Sequence, residues 1–247
     1  MTERRRTALI TGSGRNIGRA CAIALARDGF NIVVNGSDDR TACDETAIAV
    51  KAEGVSCHVA MGNVGYRDEC EDIANQAIGR FGGIDVLINN AAIRPSSPFL
   101  EMDEDEWDRV LAVGMQAAFW LSRAALPGMI ERGWGRILNF AGMNAIHGYN
   151  GRAHVSVAKH GVWGLTKALA KEFGPQGITT NIVSPGPIAG VRDDPDAAAH
   201  IQHTAERVPI GRTGTPEEVA AVISMLASDD GSYVNGQMLQ VNGGAET

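Results

Sequence analysis

The feature that most constrains this chain lies at its start. A short apolar run, Ala8-Leu9-Ile10, reads as a buried strand. It breaks into a turn carrying Gly12, Gly14 and Gly18, and an apolar helical pattern follows over 17–26. Strand, glycine turn, helix is the arrangement that brings backbone N–H groups up to a pyrophosphate, with the helix N-terminus favouring its charge. Glycine is required where a Cβ would block the phosphate or the turn.

Strands and helices alternate through the rest of the chain. Further strands are expected over 31–34, 55–61, 84–88, 136–140, 179–183 and 238–241. Helices are expected over 39–53, 67–82, 103–132 (interrupted near Pro127-Gly128), 153–174 and 215–228. Gly54 stops one helix, and Thr215-Pro216-Glu217-Glu218 opens another with a cap and a first-turn proline. The stretch 188–214 is polar without periodicity, which suits a lid. Repeated β-α units demand a parallel sheet covered on both faces, so the fold class is α/β: one doubly wound sheet of about seven strands in a single domain over 1–247. Ligands then bind beyond the carboxyl ends of the strands.

Composition narrows the function. A net charge of −7 and the absence of a basic tract argue against nucleic acid. Arg4-Arg5-Arg6 precedes an apolar run too short for a signal peptide, and no segment is expected to approach the length and hydropathy of a membrane span. Four scattered cysteines without C-x-x-C spacing fit a reducing cytoplasm. His200 and His203 alone do not make a metal site, so none is expected.

Several motifs, in order, resemble the short-chain dehydrogenase/reductase family over nearly the whole chain. Thr11-Gly12-x-x-x-Asn16-Ile17-Gly18 resembles its T-G-x-x-x-G-I-G turn, and Asn89-Asn90-Ala91-Ala92 its N-N-A-G. Asn181-x-x-x-Pro185-Gly186 resembles N-x-x-x-P-G, and Tyr233-x-x-Gly236 with Val241-Asn-Gly-Gly244 resembles its C-terminal tail. The resemblance implies a small-molecule substrate and a homodimer or homotetramer built through the long helices and the last strand.

The departures carry more information. The resemblance implies a catalytic tyrosine four residues before a lysine, one helical turn away. Lys159 fits the lysine, but Val155 stands at the tyrosine position, Gly142 at the serine and Gly114 at the helical asparagine. The threonine after the Pro-Gly turn is replaced by Gly190. Valine has no exchangeable proton, so the usual phenol-to-alcohol proton transfer is not available. His147 and Tyr149, in the loop after the fifth strand, are candidate substitutes, as is His154; His154 and Ser156 each point about 100° around the helix from Val155.

The nucleotide half is better kept. Gly12, Gly14 and Gly18 admit a pyrophosphate, and Asn16 and Ile17 continue the turn, Asn16 in the left-handed conformation that glycine normally supplies. By resemblance, Asn63-Val64 holds adenine, Asn89 the adenosine ribose and Lys159 the nicotinamide ribose, and Asn90, Ala91, Pro185, Gly186 and Ile188 also bind the cofactor. The tip of the second strand, Asn35-Gly36-Ser37, carries no acid before Asp38. With Arg15 and Arg40 placed to meet a 2′-phosphate, NADP is favoured over NAD, which Asp38 and Asp39 keep open. Three readings compete: an oxidoreductase with a non-standard site, suited to an iminium, an activated enone or a substrate served by His147 or Tyr149; an inactive subunit pairing with an active paralogue; and a redox-neutral lyase, dehydratase or isomerase. Trp107 and Trp120 read as core or interface, and Met143 as pocket lining.

Overall fold

The computed structural model describes residues 4–142, 145–191 and 208–246. The strands are β1 (Thr7–Ile10), β2 (Asn31–Gly36), β3 (Cys57–Met61), β4 (Val86–Asn89), β5 (Gly135–Phe140), β6 (Ile178–Pro185) and β7 (Met238–Val241). They form one sheet in the order β3-β2-β1-β4-β5-β6-β7, parallel at every pairing. The helices are α1 (Asn16–Arg27), α2 (Arg40–Ala52), α3 (Arg67–Phe81), α4 (Glu104–Leu111), α5 (Ala117–Arg132), α6 (Ala153–Phe173) and α7 (Pro216–Ala227).

The central strands are apolar on both faces because helices cover both. Ile10, Ile32, Ile88 and Leu138 pack with Leu25 of α1, Val50 of α2 and Ile223 of α7. Leu9, Val33, Leu87 and Ile137 point the other way and meet Ile73 of α3, Leu121 and Met129 of α5, and Leu169 of α6. Each buried Leu or Ile contributes roughly 1.5–3 kcal/mol. The sheet folds back at β1, with β2 on one side and β4 on the other, and the cleft of such a fold opens at the carboxyl ends near that reversal.

Two expectations need correction. The helix does not break at Pro127-Gly128, since α5 runs through Pro127; the irregularity is a π-helical turn, Ala112–Gln116, between α4 and α5. Its cause is packing. A Cβ on Gly114 would stand 3.1 Å from Ala158 of α6, and one on Gly161 of α6 would stand 2.3 Å from Met115 Sδ. The continuous run Glu104–Arg132, 29 residues, is also long and apolar enough to match a membrane span, contrary to expectation. In this fold its apolar positions Leu121, Ala125 and Met129 belong to the core. The Arg4-Arg5-Arg6 cluster has structural duties: Arg4 and Arg132 both pair with buried Asp85, and Arg6 pairs with Asp229. All four cysteines are free, and burial raises the thiols of Cys21 and Cys70 to about 12. His200, His203, Met143 and most of the expected lid fall outside the described residues.

Candidate active site

The glycine turn is built by polar side chains that reach it from neighbouring strands. Asn35, at the end of β2, accepts from Gly12 N and donates to Ala60 O and Gly62 O. Asn90 donates through Nδ2 to Thr11 O and Gly12 O, 2.9 Å each. Thr11 Oγ1 accepts from Asn90 N and Ala91 N. Asn90 and Ala91, expected to bind the cofactor, brace the turn from the tip of β4. Gly18 is obligatory: a Cβ there would stand 2.3 Å from Gly12 O, so α1 could not close onto the turn. A Cβ on Gly14 would meet Ala42 and Cys43 of α2 at 3.3 Å, so Gly14 serves close helix packing.

Helix α1 begins without a capping side chain. Its N-cap, Arg15, makes no side-chain cap hydrogen bond, and no acid lies in the first turn. The first N–H groups, Ile17 and Gly18 among them, and the positive end of the helix dipole thus face the ligand edge without a cap from the Arg15 side chain or an acid in the first turn. Asn16 adopts the left-handed conformation expected of it, φ 51°. Its amide is engaged on both sides: Nδ2 donates to Val191 O at 3.0 Å, and Oδ1 accepts from Val191 N at 2.8 Å.

At the β2 tip, Ser37 Oγ donates to Asp38, Asp39 caps α2 through Ala42 N, and Arg40 pairs with Asp44. Asn63 Oδ1 closes a tight turn on Gly65 N, and Val64 is buried in the core beside Cys70 and Ile73. On the other side of the cleft, Gly186 N donates to Val241 O, and a Cβ on Gly186 would overlap Asn242 at 2.7 Å. Pro185 ends β6 and pairs with Val241, while Ile188 is buried and bridges to Gly214.

Lys159 projects from α6 into this edge and donates to Phe140 O at 2.8 Å. It is 3 % exposed, and burial, with a smaller push from the Arg94 guanidinium, brings its ammonium down to about 7. One turn earlier Val155 is buried. Gly142, after β5, holds φ 113°, a conformation that L side chains rarely adopt. Asn89 Oδ1 finds no partner among the described residues; Asn89 lines, with Thr11, Gly114 and Phe140, a cavity of about 10 Å³, room for a single water.

The three candidate proton-transfer groups divide. His154 is completely buried, its Nε2 facing Glu106 Oε1 at 3.3 Å and its Nδ1 accepting from Val155 N. Ser97 Oγ donates to the same Glu106 oxygen, and that bond leads in holding the carboxyl below its usual range. His154 is thus a strut between α4, α6 and the loop after β4. His147 and Tyr149 are half-exposed, and His147 Nε2 pairs with Glu246 of the C-terminal tail. Burial, then the Glu246 charge, pushes the Tyr149 phenol up, with Arg152 opposing. Sequence reasoning missed Glu246, the bracing role of Asn35, the Arg94 charge and the Asn16–Val191 contact. Only Asn35 left a local signal, as a polar residue ending an apolar strand.

Comparison with known proteins agrees with this geometry. A family model described as enoyl-(acyl carrier protein) reductase matches residues 12–246. The 3-oxoacyl-[acyl-carrier-protein] reductase FabG of Staphylococcus aureus (strain N315) is 34% identical over 239 residues, covering 97% of each chain. The corresponding reductase of Synechocystis sp. is 36% identical over 238 residues, 96% of this chain and 95% of the relative. Among solved structures, acetoin dehydrogenase YohF from Salmonella typhimurium superposes with a TM-score of 0.90 at 32% identity, covering 97% of this chain and 95% of that one. On the fold, the glycine turn and these matches, the chain belongs to the short-chain dehydrogenase/reductase family.

Proposed function

We propose that this protein is an NADP-dependent oxidoreductase that reduces a small carbonyl compound or activated enone without the usual α6 phenol. The observation that carries the reading is the pairing of an uncapped α1 N-terminus behind a braced glycine turn with a buried Lys159 on the same sheet edge. Gly12, Gly18 and the first N–H groups of α1 would hold the pyrophosphate. Lys159 would hold the nicotinamide ribose, and Pro185, Gly186 and Ile188 would wall the ring. The bound dinucleotide supplies hydride chemistry. Arg15 in the glycine turn favours a 2′-phosphate and Asp39 is spent capping α2, whereas Asp38, which accepts from Ser37, is the acid that would suit NAD. The relatives named as reductases support the reductive direction.

The proton must then come from a group other than Val155. We assign it to His147, held by Glu246, because its loop lies over the start of α6: a Cβ on Gly148 would stand 3.8 Å from Ser156 Oγ, beside Val155. The departures at the serine and asparagine positions are embedded in the backbone, Gly142 by its positive φ and Gly114 by its approach to Ala158. That embedding also favours a second reading, an inactive subunit pairing with a catalytic paralogue. A reducing cytoplasm suits the four free cysteines.

The test is NADPH and NADH binding by calorimetry, followed by turnover at 340 nm against 3-oxoacyl thioesters, diketones and enones. We expect NADPH to bind more tightly and at least one substrate class to be reduced. His147→Ala should lower kcat by about 10²–10⁴ while leaving NADPH affinity intact, and Tyr149→Phe should change little. Val155→Tyr should raise ketone reduction. Binding without turnover on any substrate favours the inactive subunit, and absence of binding sinks hydride transfer.

A further inference from the structure

We infer that Asn16 is a clasp that gates the dinucleotide, closing the glycine turn onto the segment after β6. This rests on the dinucleotide reading above. The segment is anchored at its base: Ile188 bridges to Gly214, Ala189 N donates to Gly214 O, and Gly214 N donates to Pro187 O. Beyond that anchor Val191 is 68 % exposed. There the Asn16 amide grips Val191 on both its N–H and its C=O, in the manner of one extra rung of a sheet. The contact joins the first residue of α1 to the far wall of the cleft, at the uncapped helix end where a pyrophosphate binds.

Two residue choices make the clasp. Asn tolerates the left-handed conformation at position 16, φ 51°, and brings an amide that glycine lacks. Gly190 leaves it room: a Cβ there would stand 2.6 Å from Asn16 Oδ1 and force the amide off Val191. Each substitution makes sense only with the other. A dinucleotide passing in or out between the glycine turn and the β6 loop must wait for both bonds to open, so the clasp slows association and dissociation together.

The experiment is stopped-flow fluorescence of NADPH binding and release with the full chain, for the wild type, Asn16→Gly, Gly190→Ala and the double variant. Asn16→Gly suits the left-handed backbone, so folding is preserved. Loss of two neutral hydrogen bonds should raise both rate constants roughly tenfold. Gly190→Ala should do the same, and the double variant should be no faster than either single one. Unchanged rates, additive effects, or a weaker affinity with an unchanged association rate overturn the clasp while leaving the dinucleotide reading intact. Failure of the wild type to bind NADPH or NADH overturns both.

Discussion

Lys159 shows what burial does to a base. Its ammonium, donating to Phe140 O, is brought down to about 7, whereas in the unfolded chain it keeps an ordinary lysine value. The sign follows directly. Between about 7 and that ordinary value the unfolded chain binds more protons, so stability rises with pH across the window; below about 7 the full cost of burying the charge is present. Lys159→Met should therefore be more stable than the wild type at pH 6–7, by a few degrees in Tm, and should flatten the rise toward pH 9. Calorimetric scans across that range check it, and a lower Tm for the variant would contradict it. The same variant should lose nicotinamide-side affinity, so the residue is kept for its site at a cost in stability.

At the scale of elements, the seam between the π-helical turn and α6 is tightly packed. Gly161→Ala would place a Cβ 2.3 Å from Met115 Sδ, so it should destabilise by about 1–3 kcal/mol, and Met115→Ala should recover most of that loss. Chemical denaturation of the two single variants and the double settles the point. This seam was not legible in the sequence. A proline inside a helical pattern is the stronger local signal, which is why the break was expected at Pro127, yet the irregularity arises from two helices distant in sequence touching at Gly114 and Gly161. By contrast, β1, its glycine turn and α1 were readable because the strand period, the turn glycines and the helical stripe all lie within one short stretch. Asn16's left-handed backbone was readable for the same reason. Its grip on Val191 and the pairing of His147 with Glu246 were not, because both join residues far apart in sequence that carry no pattern of their own.

At the scale of the molecule, α5 and α6 present apolar residues outward, Phe119 at 47% and Val157 at 46% exposure. Exposed apolar side chains on two long helices suit burial against a second copy of the chain. We expect a homo-oligomer by light scattering, and Phe119→Glu with Val157→Glu should shift it toward monomer. A monomeric wild type would remove the expected interface.

The order of the strands also dictates how the chain can assemble as it is made. Each strand lies beside its predecessor, except that β4 returns to the free side of β1, pairing Ala8 with Val86. Of the strand pairings this one joins the residues farthest apart in sequence, and β5, β6 and β7 extend the sheet outward from β4. Until β4 has been synthesised, one edge of β1 stays unpaired, and that open edge is a template on which another chain can pair.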